Sequence, residues 1–224
     1  MTRKLLVATH NPGKVREYQT LLADLPLEVT YLDAEGITLE VEETGHTFAQ
    51  NAVLKATTYA RASGLWTWAD DSGLEVDALG GAPGVYSSRY GGPGASDADR
   101  YRKLLDALTG VSWARRTARF RCVVALATPT DVRDTADVPG TSSDRRSPVP
   151  GTWSSSVQTA DGACDGIIAF GPAGNNGFGY DPVFYMPDRG LTMAQLPAET
   201  KHEISHRGRA ARAAEKLLEA MLQG

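Results

Sequence analysis

The sequence predicts an α/β fold, on three observations. An apolar run, KLLVAT (Lys4 to Thr9), passes at once into a tight loop and a helical pattern. A second helical pattern leads into the alternating run LWTWA (Leu65 to Ala69), which reads as a strand. Two further strand-like runs, RFRCVVALAT (Arg119 to Thr128) and CDGIIAF (Cys164 to Phe170), precede a final helix rich in alanine and leucine. Helices separated by strands, with a strand-rich section late in the chain, indicate an α/β or mixed α+β domain.

Taken in order, each element has a local reason. Pro12 falls where a first helical position belongs, and Val15, Tyr18, Leu22 and Leu25 follow at helical spacing. Thr47 starts the second helix, through Arg61, with Gln50 as its capping-box partner. LGGAPGVYSSRYGGPG (Leu79 to Gly94) is rich in glycine and proline and reads as an ordered loop. Ser96 caps a helix to about Leu108, with Asp97 and Asp99 near its positive end. The last helix runs from about Ser205 to Leu222. Residues 129–158 are polar, proline- and serine-rich and without hydrophobic period; they read as a mobile insertion, either a hairpin extension or a disordered loop, in one domain spanning 1–224.

Composition excludes several function classes. A net charge of -4 argues against general affinity for nucleic acid or anionic membrane, so any phosphate chemistry must be local. No stretch approaches the roughly 18 apolar residues of a membrane span. The four apolar residues near the amino terminus are too few for a secretory core. Cys122 and Cys164 lack the spacing of a zinc site or a disulfide framework. The expectation is a soluble cytoplasmic protein.

Four clusters carry chemistry. In THNPGK (Thr9 to Lys14), a helix amino terminus with Thr9, Asn11 and Lys14 suits phosphate oxygens, although Asn-Pro-Gly is also ordinary turn chemistry and the Walker spacing is absent. In VEETG (Val41 to Gly45) and the helix after it, Asn51 and Lys55 share a face, and Lys55 needs an anion, either Glu42 or a phosphate. The alternative is a lysine snorkelling at the core edge. In DDSG, Asp70 and Asp71 fall where the LWTWA strand is expected to end, the usual ligand position in α/β sheets. Asp71 with Glu42 then suits a hard cation, and a solvated turn is the rival reading. Finally, GFGYDPVF (Gly177 to Phe184) with KHEISHR (Lys201 to Arg207) offers Phe178 and Tyr180 to a flat base, and His206 and Arg207 to its edge. A core aromatic pair beside a solvated helix end is the plainer reading of that cluster.

Together these stretches resemble one family, the inosine triphosphate pyrophosphatases, in particular their RdgB-like bacterial branch. ATHNPGKVREY, VEETGHTFAQNAVLKA, ADDSGLEVDALGGAPGVYSSRYGG, NNGFGYDPVF and AETKHEISHRGRA occur in the family's order and cover most of the chain outside 129–158. The resemblance implies an elongated two-lobed fold around a central mixed sheet, with the active-site cleft between the lobes. It implies a Mg²⁺-dependent hydrolase, usually a homodimer, that converts ITP, dITP and XTP to the monophosphate and pyrophosphate and so cleanses the nucleotide pool. Thr9, His10, Asn11, Lys14 and Lys55 would hold the triphosphate. Glu42 and Asp71 would bind the metal, with Glu43 set aside as pointing elsewhere. Asp71 would also activate the attacking water, and Ser72 would touch substrate. Phe178 would stack on the base, while Gly179, Tyr180, Asp181, Lys201, His206 and Arg207 would recognise it.

One departure stands out: many relatives carry proline-arginine-glycine before GFGYDP, where this chain has Ala173 in the arginine's place. Two rival readings are a Maf-like pyrophosphatase acting on other modified nucleotides and a nucleotide sensor without turnover. Intact Asp71, Glu42 and both lysines speak against a sensor, which has no need of a water-activating carboxylate.

Overall fold

The computed structural model describes residues 3–129 and 157–223. The insertion read at 129–158 therefore lies outside the described residues except at its edges. Gln158, counted within it, is the first residue of a strand.

One sheet of seven strands, in the order β2-β1-β3-β4-β5-β6-β7, organises the molecule. β1 (Lys4–Val7) runs parallel to β2 (Glu28–Tyr31) and to β3 (Trp66–Val76). From β3 onward the pairing is antiparallel, through β4 (Thr117–Ala127), β5 (Gln158–Ile168), β6 (Phe184–Met186) and β7 (Leu191–Thr192). The sheet is mixed, as the sequence implied.

Alternation along the strands sends apolar side chains to both faces. Leu5, Val7, Trp68, Cys122 and Val124 pack against α1 (Pro12–Leu21) and α5 (His206–Gln223) through Tyr18, Leu22, Ala210, Ala214 and Leu218. Leu6, Ala8, Ala69, Val123 and Ala125 pack on α2 (Phe48–Ser63) through Ala52, Ala56 and Tyr59. A third cluster gathers Leu74, Val76, Phe120, Ile168 and Phe184 with Leu104 and Leu108 of α3 (Asp97–Ala107), at the far ends of the long strands. The three clusters make two packed regions joined by β3, β4 and β5.

The caps at Thr47 and Ser96 sit where the sequence put them, and Asn11, before Pro12, caps α1. Asn11 accepts from the N–H groups of Gly13 and Lys14, and Thr47 and Ser96 each close a capping box. One expectation changes. LWTWA does not end before the acid pair: β3 continues to Val76, with Asp70 and Asp71 opposite Val124 and Val123 of β4. The pairing with β1 is what stops, at Trp68. Asp70 and Asp71 thus lie just beyond the carboxyl end of β1, on a strand held only from its other side. The last helix, α5, lies where it was read, and a short helix that was not read, α4 (Ala198–Ile204), precedes it.

Candidate active site

Beyond the end of β1 opens a cleft of about 350 Å³, lined from α1, α2, α3, β3, the 177–181 loop and the start of α5. It is within the usual range for a small-molecule site. Thr9, His10, Asn11, Lys14, Lys55, Asp71, Ser72, Phe178, Gly179, Tyr180, Asp181, Lys201, His206 and Arg207 all line it. Segments far apart in sequence converge there.

At one end stands the amino terminus of α1. Asn11 spends its Oδ1 on the N–H groups of Gly13 and Lys14, and its backbone N–H donates to Thr9 Oγ1 at 3.1 Å. His10 is exposed and reaches Asp33 Oδ1 at 3.0 Å through Nδ1. The loop is therefore shaped by its own side chains, with the positive end of the helix dipole directed at the cleft.

The acids come next. Asp71 is buried and accepts from Asn51 Nδ2 at 3.0 Å. Lys55 Nζ stands 2.7 Å from Glu43 Oε1 and 3.6 Å from Asp71 Oδ1, so two carboxylates converge on one cation. Burial raises Asp71 above the ordinary carboxylate value and Glu43 adds to that, against the pull of Lys55 and Lys14.

Of the two adjacent glutamates, the structure turns Glu43, and not the expected Glu42, toward the cleft. Residues 41–46 run without helix or sheet partners, Val41 and Glu43 line the cleft, and Glu42 faces solvent. An extended segment alternates its side chains, so only one acid of an adjacent pair can point inward. Among the described residues no group of three or more His, Cys, Asp or Glu forms a metal cage. Glu43 and Asp71 meet at Lys55 and offer oxygen ligands only, a donor set that fits a hard cation completing its shell with waters or other oxygen ligands.

At the other end the ring of Phe178 lies 5.0 Å from Lys201 Nζ and 5.3 Å from the Arg207 guanidinium carbon, centroid to atom. It also lies against the α1 loop: a Cβ added to Gly13 would meet Phe178 at 2.7 Å. Asp181 Oδ2 accepts from the Phe178 N–H at 2.9 Å and from Lys201 Nζ at 2.6 Å. Gly177, at φ 75°, is required because a Cβ there would stand 2.1 Å from that same oxygen. Gly179 donates its N–H to Asp97 Oδ2 at 2.7 Å, and the Tyr180 hydroxyl donates to Ser87 O at 2.9 Å. His206 stacks on Phe120 with centroids 4.7 Å apart. Burial, with Arg207 adjacent, holds the imidazole far below its usual value, so it is neutral at pH 7.

Lys201 and Arg207 are more enclosed than an edge-reading role suggests. Arg207 is 2% exposed, bonds to Glu17 through Nη1 and donates to Ser72 Oγ at 3.0 Å through Nη2. Lys201 is shared between Asp181 and Glu17 Oε1, the latter at 2.7 Å. Burial alone would push Glu17 up, but Arg207 and Lys201 overcome it and hold the carboxyl at about 2.

Glu17, Phe120 and the counter-ion role of Asp70 were missed in the sequence. Glu17 follows Lys14 by three residues and adjoins the apolar position Tyr18, a faint sign that it faces inward.

Comparison with known proteins places the whole chain in one family. The Ham1 family pattern matches residues 5–217. The dITP/XTP pyrophosphatase of Methylococcus capsulatus is 48% identical over 224 residues, covering all of both chains. That of Bacillus subtilis is 41% identical over 218 residues, covering 97% of this chain and 98% of its own. Among solved structures, a HAM1 protein from Coxiella burnetii superposes with a TM-score of 0.79 at 37% identity, covering 97% of this chain and 99% of that one. The Staphylococcus aureus Ham1 protein gives 0.78 at 36% identity, covering 98% and 100%. With its fold and nearly its whole length in common with these proteins, the chain belongs to the Ham1 family.

Proposed function

We propose that this protein hydrolyses deaminated purine nucleoside triphosphates, ITP, dITP and XTP, to the monophosphate and pyrophosphate. The observation that carries this is one cleft with two chemically distinct ends: lysines and carboxylates at one, and the Phe178 ring beside Lys201, His206 and Arg207 at the other. The names of the 48% and 41% identical relatives support the substrate class.

Lys14 and Lys55 neutralise the triphosphate as it enters, exchanging their carboxylate partners for phosphate oxygens. Glu43 and Asp71 would hold Mg²⁺, which when bound polarises the phosphoryl group and offsets its charge. Asp71, fixed by Asn51, accepts the proton of the attacking water. Phe178 stacks on the base. A 6-keto oxygen is an acceptor and is favoured by the field of Lys201 and Arg207 and by a donor on neutral His206; adenine offers an amino donor at that position and is disfavoured. Guanine shares the keto group, so its refusal must act at the 2-amino position.

The reading includes a homodimer in the cytoplasm that works as a single pyrophosphatase domain, on the strength of the family resemblance. No helix among the described residues is long and apolar enough to cross a membrane. The test is pyrophosphate release from ITP, XTP, GTP, ATP, UTP and methylated GTP with Mg²⁺. Turnover confined to ITP and XTP supports the reading, and comparable turnover of UTP or methylated GTP contradicts it.

A further inference from the structure

Asp70 does not line the cleft, yet it touches both ends of it. It is 2% exposed, and its Oδ2 lies 2.8 Å from Lys14 Nζ on the phosphate side and 3.7 Å from Arg207 Nε on the base side. That Nε is buried with no hydrogen-bond partner, while Nη1 and Nη2 are committed to Glu17 and Ser72. Glu17 then passes to Lys201, and Lys201 to Asp181. Charges alternate without a break from Lys14 through Asp70, Arg207, Glu17 and Lys201 to Asp181, and nearly all of it is out of water.

We propose that Asp70 is a positioning residue shared by the two ends of the site, tying the hold on the triphosphate to the reading of the base. This rests on the pyrophosphatase reading above. Phosphate oxygens arriving at Lys14 compete with Asp70 for the ammonium. A buried carboxylate that loses one cation must lean on the next. The Cys122 thiol already reaches Asp70 Oδ2 at 3.7 Å but is neutral, and among the described residues the charged donor with nothing to bond at Asp70 is Arg207 Nε, aimed at it across 3.7 Å. Closing that gap moves the guanidinium between Phe178 and Ser72, so the base wall takes its final shape only when a phosphate chain is in place. Asp71, the neighbouring acid, faces the chemistry, and Asp70 faces the two cations behind it. The adjacent carboxylates thereby have separate tasks.

The test measures two quantities on the purified full-length protein: the ITP to ATP ratio of kcat/KM, and the inhibition constant of inorganic tripolyphosphate, which has no base. In Asp70→Asn both move, the ratio falling and the inhibition constant rising, each by roughly five- to tenfold. Lys14→Met alters a residue at the phosphate end, yet it shifts the ITP to ATP ratio when Asp70 is present and causes no further shift in the Asp70→Asn background. A merely structural Asp70 would lower kcat for every substrate alike, with ratio and inhibition constant unchanged, and that result overturns the proposal. Movement of only one of the two quantities in Asp70→Asn also overturns it, because Asp70 then serves one end. Should Asp70→Asn fail to fold, Lys14→Met decides alone: a wild-type ratio there refutes the coupling. Failure of the wild type to prefer ITP would instead refute the pyrophosphatase reading.

Discussion

Asn51 and Asp71 are joined by a buried hydrogen bond: Asn51 Nδ2 donates to Asp71 Oδ2 at 3.0 Å, while its Oδ1 accepts from the Gly45 N–H at 2.8 Å. One amide thus orients the acid and fixes the backbone beside Glu43. Asn51→Ala should lose on the order of 10-fold in kcat through misplacement of Asp71. It should also lose about 1–3 kcal/mol of stability, because the Gly45 N–H is left without its acceptor. Steady-state kinetics and thermal unfolding of the same variant check both.

The acid pair at 42 and 43 separates cleanly. Glu43→Gln should reduce turnover on the order of 100-fold and raise the Mg²⁺ concentration needed for half-maximal activity. Glu42→Gln should behave as wild type, since Glu42 faces solvent. A Mg²⁺ titration of the three proteins distinguishes them, and equal loss in both variants contradicts the placement.

That pair also shows where the sequence stops being legible. The fold class, the caps at Thr47 and Ser96, and four of the strands could be read because periodicity and capping are local properties, whereas the short strands β2, β6 and β7 carry too few residues to show a pattern. Which of two adjacent glutamates faces inward in a segment with no regular structure depends on how that segment lies over α2, and no local pattern records it. DDSG was misplaced at a strand end for a related reason. Asp-Ser-Gly has the composition of a turn, but pairing with β4 carries β3 through it, and only tertiary contact shows that. Glu17 remained hidden because its partners Lys201 and Arg207 lie more than 180 residues along the chain.

Stability should depend on pH through Glu17. Its carboxyl is held at about 2 in the fold against an ordinary value of 4.5, so the ionised form is favoured by folding. The contribution, worth about 3 kcal/mol, is complete above pH 4.5 and lost as pH falls from there towards 2. Urea unfolding between pH 6 and pH 3 should show this loss, and Glu17→Gln should flatten it while lowering stability at neutral pH.

Removal of the Phe178 ring should act on binding. Phe178→Ala is expected to raise KM for ITP by roughly 5- to 150-fold, the worth of one base stack, and to leave inhibition by tripolyphosphate nearly unchanged. An equal rise in both constants would mean that the ring supports the α1 loop through its contact at Gly13 and not the base.

Both cysteines are buried, and burial pushes Cys122 up to about 12 and Cys164 up to about 11. Neither forms thiolate at neutral pH, so iodoacetamide should leave the native protein unmodified and label both sites in urea. Mass spectrometry reads the result directly.

The central claim is that Asp71, held between Asn51 and Lys55, activates water against a deaminated purine triphosphate. It is tested most directly by pyrophosphate release from ITP, XTP, GTP and ATP with Mg²⁺, in the wild type and in Asp71→Asn. The account predicts turnover of ITP and XTP by the wild type, little with GTP or ATP, and none in a folded Asp71→Asn. Activity that survives in Asp71→Asn, or a wild type that cleaves ATP as readily as ITP, would contradict it.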